Sequence, residues 1–399
     1  MMMNMMMLFV YGIQGNGIEQ VHMAIAGEEY GGMAFSWIDS GQGYGTVKYG
    51  VEETKLDKIV STACGCIKIR ATNAIFLYVI HGANVVNCFV DVVGNDQDGW
   101  SNVNSFTTPP QRGDMSTPLS IAIVGDLGQT NYSIETLKFL QEHDHLDAVF
   151  VAGDLSYADT VQERWDMWGQ LVEPCTSTKP WMVGPGNHEI ELSCALKPFE
   201  PYQARFRMPF TESGAPRRNL FYSFDLGGTH TIFITPYIPT YRGSAQYVWL
   251  ERDLMSIDRT LTPWLIVVMH GPWYNSNKAH QNHHEPHHVM KKDMEELLYK
   301  YHVNIVFSGH VHAYERSVPV YKNVPTADGP VYVVVGDGGN REGLADTFIE
   351  PKPEWSAFRK AKYGYGHLTI TNTTHAYFAW HVGGPTRDKV ADSIWLVKR

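Results

Sequence analysis

Seven side chains between positions 126 and 312 could take part in one piece of chemistry: Asp126, Asp154, Tyr157, Asn187, His270, His310 and His312. They offer carboxylate, phenol, amide and imidazole donors and no thiolate. That set suits hard or borderline divalent and trivalent ions and excludes soft-metal chemistry. Two such ions, about 3.5 to 4 Å apart, are well matched to phosphoryl hydrolysis. Taken singly, none of the seven demands a metal. Asp126 in Gly-Asp-Leu-Gly and Asp154 in Gly-Asp-Leu-Ser-Tyr would each serve as a turn or helix cap. Asn187 suits a left-handed turn after Gly186, a lone His270 after a strand is commonly structural, and Tyr157 would ordinarily be a half-buried aromatic. The joint pattern carries the argument, because the donors follow five successive apolar runs and finish in Gly309-His310-Val311-His312.

Those runs are the elements that must position the donors. Leu119-Val124 leads into Gly125-Asp126, Ala148-Ala152 into Gly153-Asp154, and Trp181-Val183 into Gly184-Pro185-Gly186-Asn187-His188. Leu265-Met269 leads into His270, and Asn304-Phe307 into Ser308-Gly309-His310. Between them, Ser133-Gln141 and Val289-Tyr301 have helical spacing, the second with Met294, Leu297, Leu298 and Tyr301 on one stripe. The alternation predicts an α/β domain over residues 118–399. Every donor then falls just past a strand's carboxyl end, where open α/β sheets place their sites.

The first hundred residues read differently. Val21-Ala26, Met33-Ile38, Thr46-Gly50, Ile75-Ile80, Val86-Val93 and Asn102-Thr107 are short strand-like runs separated by Gly, Asn and Asp. They predict an all-β sandwich over 21–108. The Pro, Gly and charge after Thr107 mark a linker at 109–117. Residues 1–20 are Met-rich at the start but lack the basic residues and cleavage site of a convincing signal peptide, and read as a poor signal or a disordered start. At 399 residues the chain exceeds the usual size of a single core. A formal net charge of −10 gives no field to gather nucleic acid, and no apolar run is long enough to span a membrane. Five cysteines form no C-x-x-C pair; Cys175 and Cys194 either pair or remain buried thiols. Asn131-Tyr132-Ser133 and Asn372-Thr373-Thr374 fit the glycosylation acceptor pattern, which matters if the chain enters the secretory pathway.

Gly125 to Gly128, Gly153 to Tyr157, Gly186 to Glu189, Val267 to His270 and Gly309 to His312 together resemble the motifs of the purple acid phosphatases, within the calcineurin-like metallophosphoesterase superfamily. The likeness continues in His270-Gly-Pro-Trp-Tyr-Asn-Ser-Asn, His312-Ala-Tyr-Glu-Arg-Ser and Val335-Gly-Asp-Gly-Gly-Asn. It is strong from Pro118 onward and thinner before it. The resemblance implies an N-terminal fibronectin-III-like β-sandwich followed by a four-layer αββα metallophosphoesterase domain. It implies Fe(3+) held by Asp126, Asp154, Tyr157 and His312, and a second divalent ion, Zn, Mn or Fe, held by Asp154, Asn187, His270 and His310, with Asp154 bridging. It further implies acid hydrolysis of small phosphate monoesters by a hydroxide on the metals, with a location outside the cell or in a lysosome or vacuole. Phenolate is a hard donor that favours ferric iron, while a neutral amide and two imidazoles suit a divalent ion.

His188 and His280 align with family histidines that orient substrate or protonate the leaving group from beside the metals. His283, His284, His287 and His288 depart from the family's loop and read as a solvated surface tract, the alternative being a pH-sensitive lid. Related phosphodiesterases and protein phosphatases generally carry His after the first Asp, where this chain has Gly128, and Tyr157 decides against them. A catalytically silent binding protein is disfavoured because all seven donor positions are chemically competent. The oligomeric state is left open.

Overall fold

In the computed structural model, residues 18–26, 32–39, 45–50, 56, 58–62, 67–69, 72–79, 88–96, 99–143, 145–191, 197–383 and 389–398 are described. Among the described residues the first part holds nine strands: β1 (Glu19–Ile25), β2 (Met33–Asp39), β3 (Gly45–Gly50), β4 (Lys58–Thr62), β5 (Ile67–Ile69), β6 (Thr72–Val79), β7 (Cys88–Asn95), β8 (Gly99–Trp100) and β9 (Asn104–Thr107). They form two antiparallel sheets, β1-β2-β6-β5 and β4-β3-β7-β8, with β9 on β7. Alternation decides which side chains meet: Met33, Phe35 and Trp37 of β2 join Val21 and Met23 of β1 against Val47, Tyr49, Val93 and Phe106 of the facing sheet. The segment Lys58–Ile69 held two strands that its small residues and Gly-Cys content did not suggest. β1 begins at Glu19, inside the stretch expected to be signal or disorder.

The second part runs β10 (Leu119–Val124), α1 (Asn131–Glu142), β11 (Ala148–Val151), α2 (Gln162–Thr176), β12 (Trp181–Val183), α3 (Glu200–Arg205), β13 (Tyr222–Leu226), β14 (Thr229–Phe233), α4 (Ala245–Ser256), β15 (Trp264–Val268), α5 (Pro286–Lys300) and β16 (Ile305–Ser308). It closes with β17 (Tyr314–Ser317), β18 (Val320–Tyr321), β19 (Val324–Pro325), β20 (Val331–Val335), β21 (Ser356–Lys360), β22 (Gly364–Ile370), β23 (His375–Val382) and β24 (Lys389–Val397). Two mixed sheets result, ordered β12-β11-β10-β22-β23-β24 and β13-β14-β15-β16-β20-β17-β21. The site-bearing strands run parallel to one another, β10 with β11, β11 with β12, and β14 through β15 and β16 to β20, while β22 pairs antiparallel on the other side of β10. Such strands are covered on both faces, which is why β10 and β15 are buried along their whole length.

The two sheets face each other across aromatic contacts. Phe150 of β11 meets Phe224 and Phe233 edge-on at 5.7 and 5.8 Å, and Phe307 of β16 meets Phe378 of β23 at 5.4 Å. α1 and α2 cover the outer face of the first sheet through Phe139 on Tyr365 and Trp168 on Trp181. α4 and α5 cover the second, α5 burying Met290, Met294, Leu297 and Leu298. The order is helix, sheet, sheet, helix. Thr130 caps α1, its hydroxyl accepting from the N–H groups of Tyr132 and Ser133.

β1 does not stop at its own sandwich. Ala24 and Ile25 enter the main core, Val21 N–H donates to Glu173 at 3.2 Å, and Thr176 donates to the Val21 carbonyl at 3.0 Å. Residues 108–118 contain no helix or strand, yet they are tied down. Gly113 donates to the Gly227 carbonyl, Gly227 to that of Pro110, and Arg112 pairs with Asp225 at 2.6 Å. Among the described residues no helix is long and apolar enough to cross a membrane. Cys175 is a buried free thiol, pushed up to about 11 by burial, and Cys194 lies outside the described residues. Asn131 and Asn372 are both exposed.

Candidate metal centre

Each donor enters the site from a loop that turns sharply off its strand. Asp126, Asp154, Tyr157 and His310 all have left-handed backbones, with φ of 55°, 52°, 52° and 69°. Crowding explains the glycines between strand and donor. A Cβ on Gly186 would lie 2.1 Å from the Asp154 carboxylate, and one on Gly153 would lie 2.6 Å from the His270 ring. Hydrogen bonds lock the loops together: Asp126 N–H donates to the Gly153 carbonyl at 3.1 Å, and His310 N–H to the Asp126 carboxylate at 2.7 Å.

The structure brings together all seven donors expected from the sequence. The Tyr157 hydroxyl donates to Asp126 Oδ1 at 3.0 Å and lies 3.1 Å from His312 Nε2, itself 3.3 Å from the same Asp126 oxygen. On the other side, His270 Nε2 lies 3.0 Å from Asp154 Oδ2 and 3.1 Å from Asn187 Oδ1. Asp154, His270 and His310 each present a ligand atom within 4.8 Å of one another. His270 donates through Nδ1 to the Ala152 carbonyl at 2.7 Å, and His312 through Nδ1 to the Gly343 carbonyl at 3.0 Å. Those bonds fix both tautomers and leave each Nε2 facing inward.

Several supporting side chains were given no role in the sequence reading: Glu189 was quoted only as the end of the Gly186 to Glu189 motif, and a lone carboxylate in a loop does not show what it touches. Glu189 is buried and accepts from the N–H groups of Asp154, Leu155 and Gly186 at 2.7 to 3.0 Å, clamping two donor loops. Burial and the nearby Asp154 carboxylate push it up to about 7. Glu285 contacts His280 Nδ1 at 3.1 Å and His310 Nε2 at 3.3 Å. The His310 hydrogen bond, with His280 and His287 nearby, holds Glu285 down to about 2 despite partial burial. Asp159 accepts from His188 Nδ1 at 2.5 Å, Glu342 lies 3.5 Å from His188 Nε2, and Tyr237 donates to Asn187 at 3.3 Å.

His188 and His280 both border the donors: the His188 ring packs on that of Tyr157 at 4.1 Å, and the His280 ring on that of His310 at 3.8 Å. The histidine tract is only partly the solvated loop expected. His283 and His284 are exposed, but His288 is half-buried and His287 is fully buried in the first turn of α5, held neutral by burial.

The donor set fits a pair of cations. Burial raises the Tyr157 phenol well above its ordinary range, and the Asp126 and Asp154 carboxylates raise it further. A phenolate here would face two carboxylates, so only a strongly charged cation could ionise it. Burial disfavours a charged His270, but Asp154 and Asp126 outweigh it and raise the ring to about 9. A proton on His270 thus offsets the Asp154 charge until an ion replaces it.

Paired mixed sheets with donors at the ends of five strands define a dinuclear phosphoesterase, and residues 119–314 match the family model described as calcineurin-like phosphoesterase. Residues 329–393 match the model described as iron/zinc purple acid phosphatase-like protein C. The chain is 40% identical over 384 residues to purple acid phosphatase 22 of Arabidopsis thaliana, covering 95% of this chain and 85% of that one. It is 36% identical over 412 residues to Fe(3+)-Zn(2+) purple acid phosphatase 12 of the same plant, covering 96% and 85%. The solved structure of purple acid phosphatase PPD1 from yellow lupin (Lupinus luteus) seeds superposes with a TM-score of 0.83 at 26% identity, covering 96% of this chain and 74% of that one. The chain belongs to the purple acid phosphatases, an enzyme family.

Proposed function

We propose that the protein hydrolyses small phosphate monoesters in acid, with Fe(3+) held by Asp126, Asp154, Tyr157 and His312. Asn187, His270 and His310 would hold a second divalent ion, with Asp154 shared between the two. The observation that carries this reading is the Tyr157 hydroxyl, directed at Asp126 and His312 within 3.1 Å in a setting where only a cation can ionise it. The relative whose name specifies Fe(3+) and Zn(2+) supports zinc as the second ion. When bound, the ions supply Lewis acidity to the phosphoryl group and an activated water in acid.

The chain's own residues do the rest. Asp159 accepts from His188 Nδ1–H, so that in its doubly protonated form His188 would present Nε2–H to the phosphoryl oxygens and orient them. His280, with Nδ1 toward Glu285 and its ring half-exposed, is placed to protonate the departing alkoxide. The N-terminal sheets are read as a fibronectin-III-like domain over 21–108, a reading supported by two antiparallel sheets sharing one core. Acid chemistry and the exposed acceptors Asn131 and Asn372 support a secreted or vacuolar protein.

Metallated protein should absorb near the middle of the visible spectrum through tyrosinate-to-iron charge transfer. Tyr157→Phe is expected to bleach that band while leaving iron bound and some phosphatase activity. A colourless, fully metallated wild type would sink the assignment.

A further inference from the structure

We propose that Arg341 is a positioning residue for this reaction, acting through Asp159 to hold the ring of His188. The inference rests on His188 being the side chain that faces the phosphoryl group. Arg341 follows Asn340, whose N–H donates to the Asp126 carbonyl at 3.1 Å, so its backbone is anchored to the site. Its guanidinium reaches away from that loop and bonds the Tyr157 carbonyl through Nη1 and Asp159 Oδ2 through Nη2. The other Asp159 oxygen accepts from His188 Nδ1 at 2.5 Å. A relay of guanidinium, carboxylate and imidazole thus joins the loop after β20 to the loop after β12.

The relay answers a specific instability. Asp159 sits at a left-handed φ of 47°, followed by Thr160 at 72°, and its side chain is 36% exposed, so little else restrains its rotation. His188 also has a competing acceptor, with Glu342 Oε1 3.5 Å from its Nε2. If Asp159 swings into solvent, the ring is free to turn Nε2 fully onto Glu342 and away from substrate. Arg341 prevents this by occupying one Asp159 oxygen with a planar, permanently charged fork, which leaves the other aimed at Nδ1. Sequence offered no hint, because Arg341 is one surface arginine beside a glycine-rich motif, and its partner lies 182 positions away.

The test uses the metallated full chain and a chromogenic aryl phosphate, comparing His188→Ala, Asp159→Asn, Arg341→Ala, Arg341→Lys and the Asp159→Asn/Arg341→Ala double variant. Losing a partner that orients a site residue costs on the order of 10- to 100-fold, so Arg341→Ala should lower kcat by about tenfold, with KM within about twofold. Bound metal and visible band should stay unchanged, and Arg341→Lys should fall between. In the Asp159→Asn background, Arg341→Ala should add less than about a further twofold. Multiplying losses in the double variant would overturn the proposal. So would a raised KM at unchanged kcat, which would mean that the guanidinium touches substrate directly. If His188→Ala is impaired and Arg341→Ala is not, the proposal alone fails. If His188→Ala keeps full kcat, the reading of His188 fails and takes the proposal with it.

Discussion

His230 should make this protein more stable in acid than in mild alkali, and its surroundings set the size of the effect. It lies on β14 opposite Asp225 of β13, with Nδ1 2.5 Å from Asp225 and Nε2 3.0 Å from Asp253. Both acceptors are held in place, Asp225 by Arg112 and Asp253 by the Ser223 hydroxyl at 2.6 Å. Burial works against a charged ring, but the two carboxylates outweigh it and raise the pKa from 6.5 to about 9. At ~1.4 kcal/mol per unit, that rise contributes on the order of 3 kcal/mol to stability. Because the folded state binds the proton more tightly, the contribution is complete below pH 6.5, declines as pH rises, and is gone once the folded value near 9 is passed. His230→Gln keeps a donor but cannot carry charge. Urea unfolding of wild type and variant, followed by tryptophan fluorescence on metallated protein, should show a gap of roughly 3 kcal/mol at pH 5.5 that closes by about pH 9.5. An equal gap at both pH values would refute the charged-histidine argument and leave only lost packing.

Two further outcomes follow from the same kind of reasoning. Glu189→Gln replaces a carboxylate that accepts three N–H bonds with an amide whose NH2 must face at least one of those donors, costing on the order of 2 to 3 kcal/mol. Metal content after dialysis against a chelator should fall well below that of wild type, and equal retention would show that the clamp does not hold the donor loops. Ile25→Ala removes a side chain that β1 lends to the main core and should cost about 2 to 4 kcal/mol in a single cooperative unfolding step. A loss confined to a separate early transition would mean that the sandwich melts by itself.

The seven donors were legible because each lies just past an apolar run, in every case but His270 with a glycine between, and parallel strands bring such loops to one edge wherever the helices fall. The strands β10, β11, β12, β15 and β16 were readable for the same reason, since burial on both faces leaves an unbroken apolar word. α2 and α4 were not read: α2 contains Pro174 and both carry polar residues between their buried ones. The carboxylates Asp159, Glu285 and Glu342 could not be found either, and Glu189, although it closes the Gly186 to Glu189 motif, could not be given its clamping role. Their roles depend on contacts such as that of Glu342 with His188, which lie far apart in the chain. His287 was misplaced for a related reason. A run of histidines looks hydrophilic until one of them, just past Pro286 at the start of a helix, turns inward.

The left-handed turns at Asp126, Asp154, Tyr157 and His310 bear on which substitutions the site tolerates. Such backbones cost on the order of 1 kcal/mol apiece for residues other than glycine, and bonds such as Asp126 to Gly153 and Glu189 to both neighbouring loops help to offset that cost. The shape of the receptacle is thus written partly in main-chain contacts that no exchange of a ligand side chain would touch. An engineer who swaps one ligand for another type changes the chemistry of the site while the loops keep their course, whereas a change at Glu189 disturbs several ligands at once.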